Sequence, residues 1–175
     1  MRLFFALWPD AAARAALVTL AGALRAECGG RAMPVANIHL TLVFLGDVAA
    51  ARFADACLAA DGVTAPRFDF EVGTVGYWRH NRVVWSGPAQ CPEVLRGLVA
   101  GLESALVAAG FQLDRRAYLP HLTLLRNARR APVMPGMAVI RWPVSEFVLV
   151  QSLRQERGAR YEVLRRWPLG GSNPP

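Results

Sequence analysis

Lysine is absent from this chain: all 20 basic residues are arginine, set against 13 acids and 3 histidines. GC-rich coding suffices to explain such a bias, but the chemical exclusions hold whatever its origin. No Schiff base can form on the protein, no P-loop lysine can hold a nucleotide phosphate, and no lysine can carry an adenylate. Cysteine is scarce. Cys28, Cys57 and Cys91 are odd in number and show no CxxC spacing. That speaks against a disulfide framework or a zinc site and for free thiols in a reducing cytoplasm. Long apolar runs are also missing: none approaches the roughly 18 residues of a membrane span. The run after Met1 is too short for a signal peptide and lacks a small-residue cleavage site. The chain is therefore expected to be cytoplasmic, without a membrane partner. No Gly-x-Ser-x-Gly segment supports a serine hydrolase.

What is present reads as a folded globular chain, with 54% hydrophobic residues over 175 positions. That length predicts one domain, or one domain built from two similar halves. It is enough to bury a core without staples. The net charge of +7 is uneven, since Arg115 to Arg166 holds 11 arginines and 3 acids. A basic second half suits a polyanion such as RNA, or simply a solvated face.

Local patterning orders the elements. Residues 2–8 alternate as a strand, and Pro9-Asp10 opens a helix that Gly29-Gly30 stops. Strands are expected at 38–45, 67–78, 82–86, 119–125, 139–151 and 160–168, and helices at 50–60 and 92–109. Residues 126–138 read as a loop, and His80 falls in a hairpin turn. Two strand–helix–strand units emerge: 2–8 to 38–45, and 82–86 to 119–125. Their leading arginines, Arg2 and Arg82, are offset by 80 residues, and His39 and His121 by 82. The expectation is an α+β fold of duplicated halves with pseudo-twofold symmetry, mostly antiparallel sheets flanking a central cleft. Residues 1–169 would form one bilobed domain and 170–175 a disordered tail.

Both units end in one tetrapeptide, His39-Leu40-Thr41-Leu42 and His121-Leu122-Thr123-Leu124. With five threonines in the chain, two given histidines both meeting Thr at +2 is a chance of under roughly one in a thousand. On a strand, residues i and i+2 share a face. His39 with Thr41, and His121 with Thr123, would each present a polar face over a leucine anchor. If the halves pack about a twofold axis, the polar faces meet in one cleft. Two imidazoles there suit in-line displacement at phosphorus, one taking a proton and the other giving one. The threonine hydroxyls can hold phosphate oxygens. Arg126 could stabilise charge on phosphorus, but strict alternation points it away unless the strand ends or bulges near Leu125. A metal site is the rival reading, and it would need a third ligand. Core packing of two repeated histidines is the other.

At these residues the chain resembles the two-histidine (2H) phosphoesterases, and among them the RNA 2',3'-cyclic phosphodiesterases, also called 2'-5' RNA ligases. Arg2 to Leu7, Asn37 to Leu42 with Phe44-Leu45-Gly46, and Pro120 to Arg126 carry the likeness. Val83-Val84-Trp85, Arg160-Tyr161 and Trp167-Pro168-Leu169 fit it too. The resemblance implies a bilobed fold and metal-independent opening of a 2',3'-cyclic phosphate to a 2'-phosphate, with no cofactor. It implies His39 as acid to the leaving 3' oxygen, His121 as base for water, and Thr41, Thr123 and Arg126 on the phosphate; acid and base could be exchanged. Phe5 could stack on a base or pack in the core. Arg115, Arg116, Arg129 and Arg130 could track an RNA backbone. The expected partner is RNA with a cyclic phosphate end, or a cyclic nucleotide, acted on by a monomer. The alternatives are a phosphodiesterase of small cyclic nucleotides or 2'-5' linkages, and an RNA-binding module without turnover.

Overall fold

A computed structural model of the protein describes residues 1–114, 116–133, 138–155 and 158–170. The first part of the chain runs β1 (Arg2–Leu7), α1 (Ala11–Cys28), β2 (Arg31–Ala32), β3 (Leu40–Asp47) and α2 (Phe53–Asp61). The middle runs β4 (Phe68–Val72), β5 (Thr74–Trp78), β6 (Val83–Gly87) and α3 (Glu93–Ala108). The last part runs β7 (Leu122–Arg126), β8 (Ile140–Val144), β9 (Glu146–Gln155) and β10 (Gly158–Pro168). Asp10 caps α1 by accepting from the Ala13 N–H at 2.7 Å, and Gly29 ends it at φ +69°.

The main sheet has the order β10-β9-β1-β3-β7-β6-β5, with β2 paired to β7, and all its pairings are antiparallel. Leucines of α1 (Leu17, Leu24) and of α3 (Leu98, Leu102) join the same core as Phe5, Leu40, Leu122 and Leu125. The hydrophobic effect thus holds both long helices to the sheet through one side of its strands. The strands' other side carries a small second cluster, Phe4, Ala6, Val148 and Val150, with Trp8 and Tyr161 packed on it. The α+β class with antiparallel sheets therefore holds. β1 precedes α1 and β6 precedes α3, and these strands flank β3 and β7 on opposite sides.

Two expected strands each divide. The run 67–78 breaks at Gly73, and the run 139–151 breaks at Ser145. Their first pieces, β4 and β8, leave the main sheet and pair with each other, Phe70 opposite Trp142. Hydrophobic alternation sees strand character but not a change of sheet. β2 escaped notice because two residues carry no period. The expected tail lies, apart from Gly170, outside the described residues. No described helix is long and apolar enough to cross a membrane.

Candidate active site

His39 and His121 each stand one residue before a strand, not within one as expected, since β3 begins at Leu40 and β7 at Leu122. Leu40 faces Leu122, which sets His39 and His121 at the two ends of one short junction. Each ring is fixed in the same way. His39 Nδ1 lies 2.7 Å from the Asn37 carbonyl, and His121 Nδ1 lies 2.9 Å from the Leu119 carbonyl. A carbonyl can only accept, so both Nδ1 atoms carry hydrogen and both Nε2 atoms are left to exchange protons. His39 Nε2 meets the Thr41 hydroxyl at 3.1 Å, and the hydroxyl donates. Asn37 is buried and donates its amide to the Ala159 carbonyl at 2.6 Å, which ties the His39 support to β10.

A bulge recurs at the last leucine of each motif. Phe5 pairs with Val43 and Ala6 with Thr41, leaving Leu42 extra; Val84 pairs with Leu125 and Trp85 with Thr123, leaving Leu124 extra. An inserted residue reverses the alternation beyond it. Leu125 therefore turns into the core, where it is fully buried, and Arg126 comes round to the histidine side. This is the bulge that the sequence argument required for Arg126. In the first strand the same shift brings out Phe44, which is 44% exposed. Arginine and phenylalanine thus occupy matching places five residues after the two histidines, with the Arg2 guanidinium 4.9 Å from the Phe44 ring.

The electrostatics agree with that placement. Burial pushes the His39 pKa down to about 4; the bond to Asn37 opposes this, and the charges of His121 and Arg126 add to it. Burial also lowers the His121 pKa; its bond to Leu119 opposes this, and the Arg126 charge adds to it. Near neutral pH both rings are uncharged beside the Arg126 guanidinium, for which no ion pair is seen among the described residues.

Aromatic rings surround each imidazole. Trp8 stacks on His39 with centroids 5.4 Å apart and 10° between planes. Phe4 lies at 4.8 Å and Tyr161 at 5.1 Å. Trp78 meets His121 edge-on at 4.5 Å and leans on Trp85. Two hollows adjoin the pair. One of about 480 Å³ takes in Thr41, Phe44, Trp78, Tyr118 and His121. The other, about 270 Å³, takes in Arg31, Asn37, Arg126 and Tyr161.

Some expected contacts fall elsewhere. Phe5 is fully buried against Phe147 and Trp167, at 6.2 and 5.7 Å, so it offers no ring to a base. Its neighbour Phe4 has the side facing His39 but is itself 97% covered and acts as a buttress. Arg116 reaches the larger hollow but is paired with Asp114 at 2.6 Å. Arg129 and Arg130 are drawn to the end of α1. The Arg129 backbone N–H donates to the Cys28 carbonyl at 2.9 Å, and the Arg130 side chain donates through Nε to the Glu27 carbonyl at 2.7 Å. A helix C-terminal carbonyl attracts the Arg130 cation there. Arg115 lies outside the described residues, and His80 is exposed in the β5–β6 turn. Sequence reasoning missed Trp8, Trp78, Tyr118 and Arg31. Trp78 had a signal, lying on a hairpin strand two residues before His80, but its partner His121 is distant in sequence. Among the described residues no group of three or more His, Cys, Asp or Glu could hold a metal.

Comparison with known proteins identifies relatives of this chain. A family model described as "LigT like Phosphoesterase" matches residues 7–85. An Escherichia coli (strain K12) protein named RNA 2',3'-cyclic phosphodiesterase is 35% identical over 96% of this chain and 96% of its own. A Thermus thermophilus protein of the same name is 32% identical over 99% of this chain and 92% of its own. The crystal structure of apo E. coli LigT superposes with a TM-score of 0.89 at 34% identity, covering 97% of this chain and 98% of that one. With the paired histidines, the bulged strands and these relatives together, the chain belongs to the LigT-like phosphoesterase family.

Proposed function

We propose that this protein is an RNA 2',3'-cyclic phosphodiesterase that opens a cyclic phosphate end to a 2'-phosphate without a metal. The observation that carries the reading is the pair of Nε2 atoms, each freed by an Nδ1–H···O=C bond two residues back, beside the arginine that a bulge turns toward them. The relatives' names favour the same substrate.

The phosphate lies between the rings, with Arg126 and the Thr41 and Thr123 hydroxyls on its non-bridging oxygens. Its negative charge offsets Arg126 and lets one imidazole hold a proton at neutral pH. His121 Nε2 takes a proton from water, which attacks phosphorus in line. His39 Nε2 protonates the departing 3' oxygen. In the free protein His39 is the harder ring to protonate, so this order requires the phosphate to raise its pKa on binding. Thr41 then turns its hydroxyl from His39 Nε2 to the phosphate, freeing that nitrogen. The matching bulges at Leu42 and Leu124 favour an origin of the two strands by duplication.

Ligation is the same ring opening, with a ribose hydroxyl in place of water as the nucleophile and the 3' oxygen again leaving, and it needs no lysine. Water at roughly 55 M outcompetes that hydroxyl in dilute solution, so hydrolysis is the main reaction. The test is incubation of an RNA bearing a 2',3'-cyclic phosphate with the protein in EDTA. Release of a 2'-phosphate end is expected. Binding without turnover would make the protein an RNA-binding module, and dependence on a divalent ion would revive a metal site.

A further inference from the structure

The two-residue strand β2 meets the end of β7 with Arg31 opposite Arg126 and Ala32 opposite Leu125. Leu125 is fully buried in the core and Ala32 packs against it, so the two arginines stand together on the cleft side. Directly opposed residues on antiparallel strands hold their Cβ atoms about 4.5–5.5 Å apart, and like charges there repel. The chain is nevertheless built to make this contact. Gly30, at φ +87°, immediately precedes β2 at a point where a Cβ would lie 2.7 Å from the Arg126 carbonyl oxygen. Both guanidinium-bearing residues line the hollow of about 270 Å³ next to Asn37 and Tyr161, close beside His39. Two adjacent cations facing one hollow suit a ligand with two phosphates, because a guanidinium fork binds phosphate oxygens in pairs.

We propose that Arg31 forms a second phosphate site. Arg126 serves the reacting cyclic phosphate, and Arg31 receives the phosphate on the 5' oxygen of the same terminal nucleoside. This rests on the phosphodiesterase reading of the histidine cleft. The shared chemistry is a phosphate at that 5' oxygen, supplied either by the next phosphodiester of an RNA chain or by a 5'-monophosphate. The site makes the protein prefer RNA ends to free cyclic nucleosides.

Three substrates separate these cases in EDTA: adenosine 2',3'-cyclic phosphate, its 5'-phosphorylated form, and a dinucleotide ending in a cyclic phosphate. The readout is the ratio of kcat/KM for each phosphorylated substrate to that for the plain one. Arg31→Gln is expected to lower that ratio about tenfold, the scale of one charge-assisted hydrogen bond. A fall for the dinucleotide alone assigns the site to the phosphodiester, and a fall for both assigns it to any 5'-phosphate. An unchanged ratio overturns the proposal. Binding of adenosine 2'-phosphate with and without a 5'-phosphate, by calorimetry, reads the same ratio as Kd values whether or not turnover occurs. Wild-type protein that turns over none of the three substrates yet shows the Arg31-dependent ratio in binding would contradict the phosphodiesterase reading and leave the second phosphate site standing.

Discussion

Leu40 faces Leu122 as the one backbone bridge recorded between β3 and β7, the strands that carry the two histidine motifs, among the described residues. So thin a junction leaves the histidine separation to other contacts. The Tyr118 hydroxyl supplies one, donating across it to the Thr41 carbonyl at 3.1 Å. Tyr118 is a positioning residue in this account. Tyr118→Phe keeps the ring and removes the tether, at about 1 kcal/mol. Steady-state kinetics should show kcat falling about tenfold with KM little changed, while the melting temperature falls by only about 2–4 °C. An unaltered kcat means that the backbone bridge alone sets the spacing.

Protonation of His39 should couple folding to pH. Its pKa is near 6.5 in the unfolded chain and about 4 in the folded one. Between those values the unfolded state binds more protons, so stability falls as pH drops from about 6.5 to about 4. The loss at the lower limit is on the order of 2–3 kcal/mol. Urea titrations of wild type and His39→Gln across that window measure the difference. Parallel curves for the two proteins would mean that His39 titrates normally.

Arg126 lowers the pKa of both histidines and in the proposed mechanism binds the phosphate. Arg126→Gln should therefore raise both imidazole pKa values in the free protein, seen by NMR titration. It should also reduce kcat/KM by about 10²–10³. If the activity falls while neither imidazole moves, the guanidinium points elsewhere in solution.

Gly76 lies beneath the Trp85 ring, where an added Cβ would come within 2.1 Å of a ring carbon. Trp85 in turn supports Trp78 against His121. Gly76→Ala must displace that stack, at about 1–3 kcal/mol. The melting temperature should drop and indole fluorescence should change. A variant with wild-type melting and emission would show that the ring moves aside freely.

The sequence carried the chemistry more clearly than the shape. Identical tetrapeptides at His39 and His121 needed no tertiary information, and the leucine anchors at Leu40 and Leu122 are buried as alternation requires. Phe5 stayed open between base stacking and core packing because alternation says which residues share a face but not which face is covered by helices; it packs in the core. Arg126 could be placed only conditionally, since a bulge at Leu124 depends on the register with Trp85 and Val84. The aromatic shell of His39 was illegible for another reason: Trp8 directly follows β1 and Tyr161 lies on β10, strands far apart in sequence that β9 joins in the sheet. The contact of Arg130 with the Glu27 carbonyl was illegible too, because net charge says nothing of a helix end brought close by the fold.

The central claim is that two imidazoles act together on one phosphate. The most direct test measures turnover of an RNA ending in 2',3'-cyclic phosphate, in EDTA, by wild type, His39→Ala and His121→Ala. Wild type should yield a 2'-phosphate end, and each variant should lose at least about 10²-fold in kcat while still folding. Near-normal turnover by either variant would contradict the account.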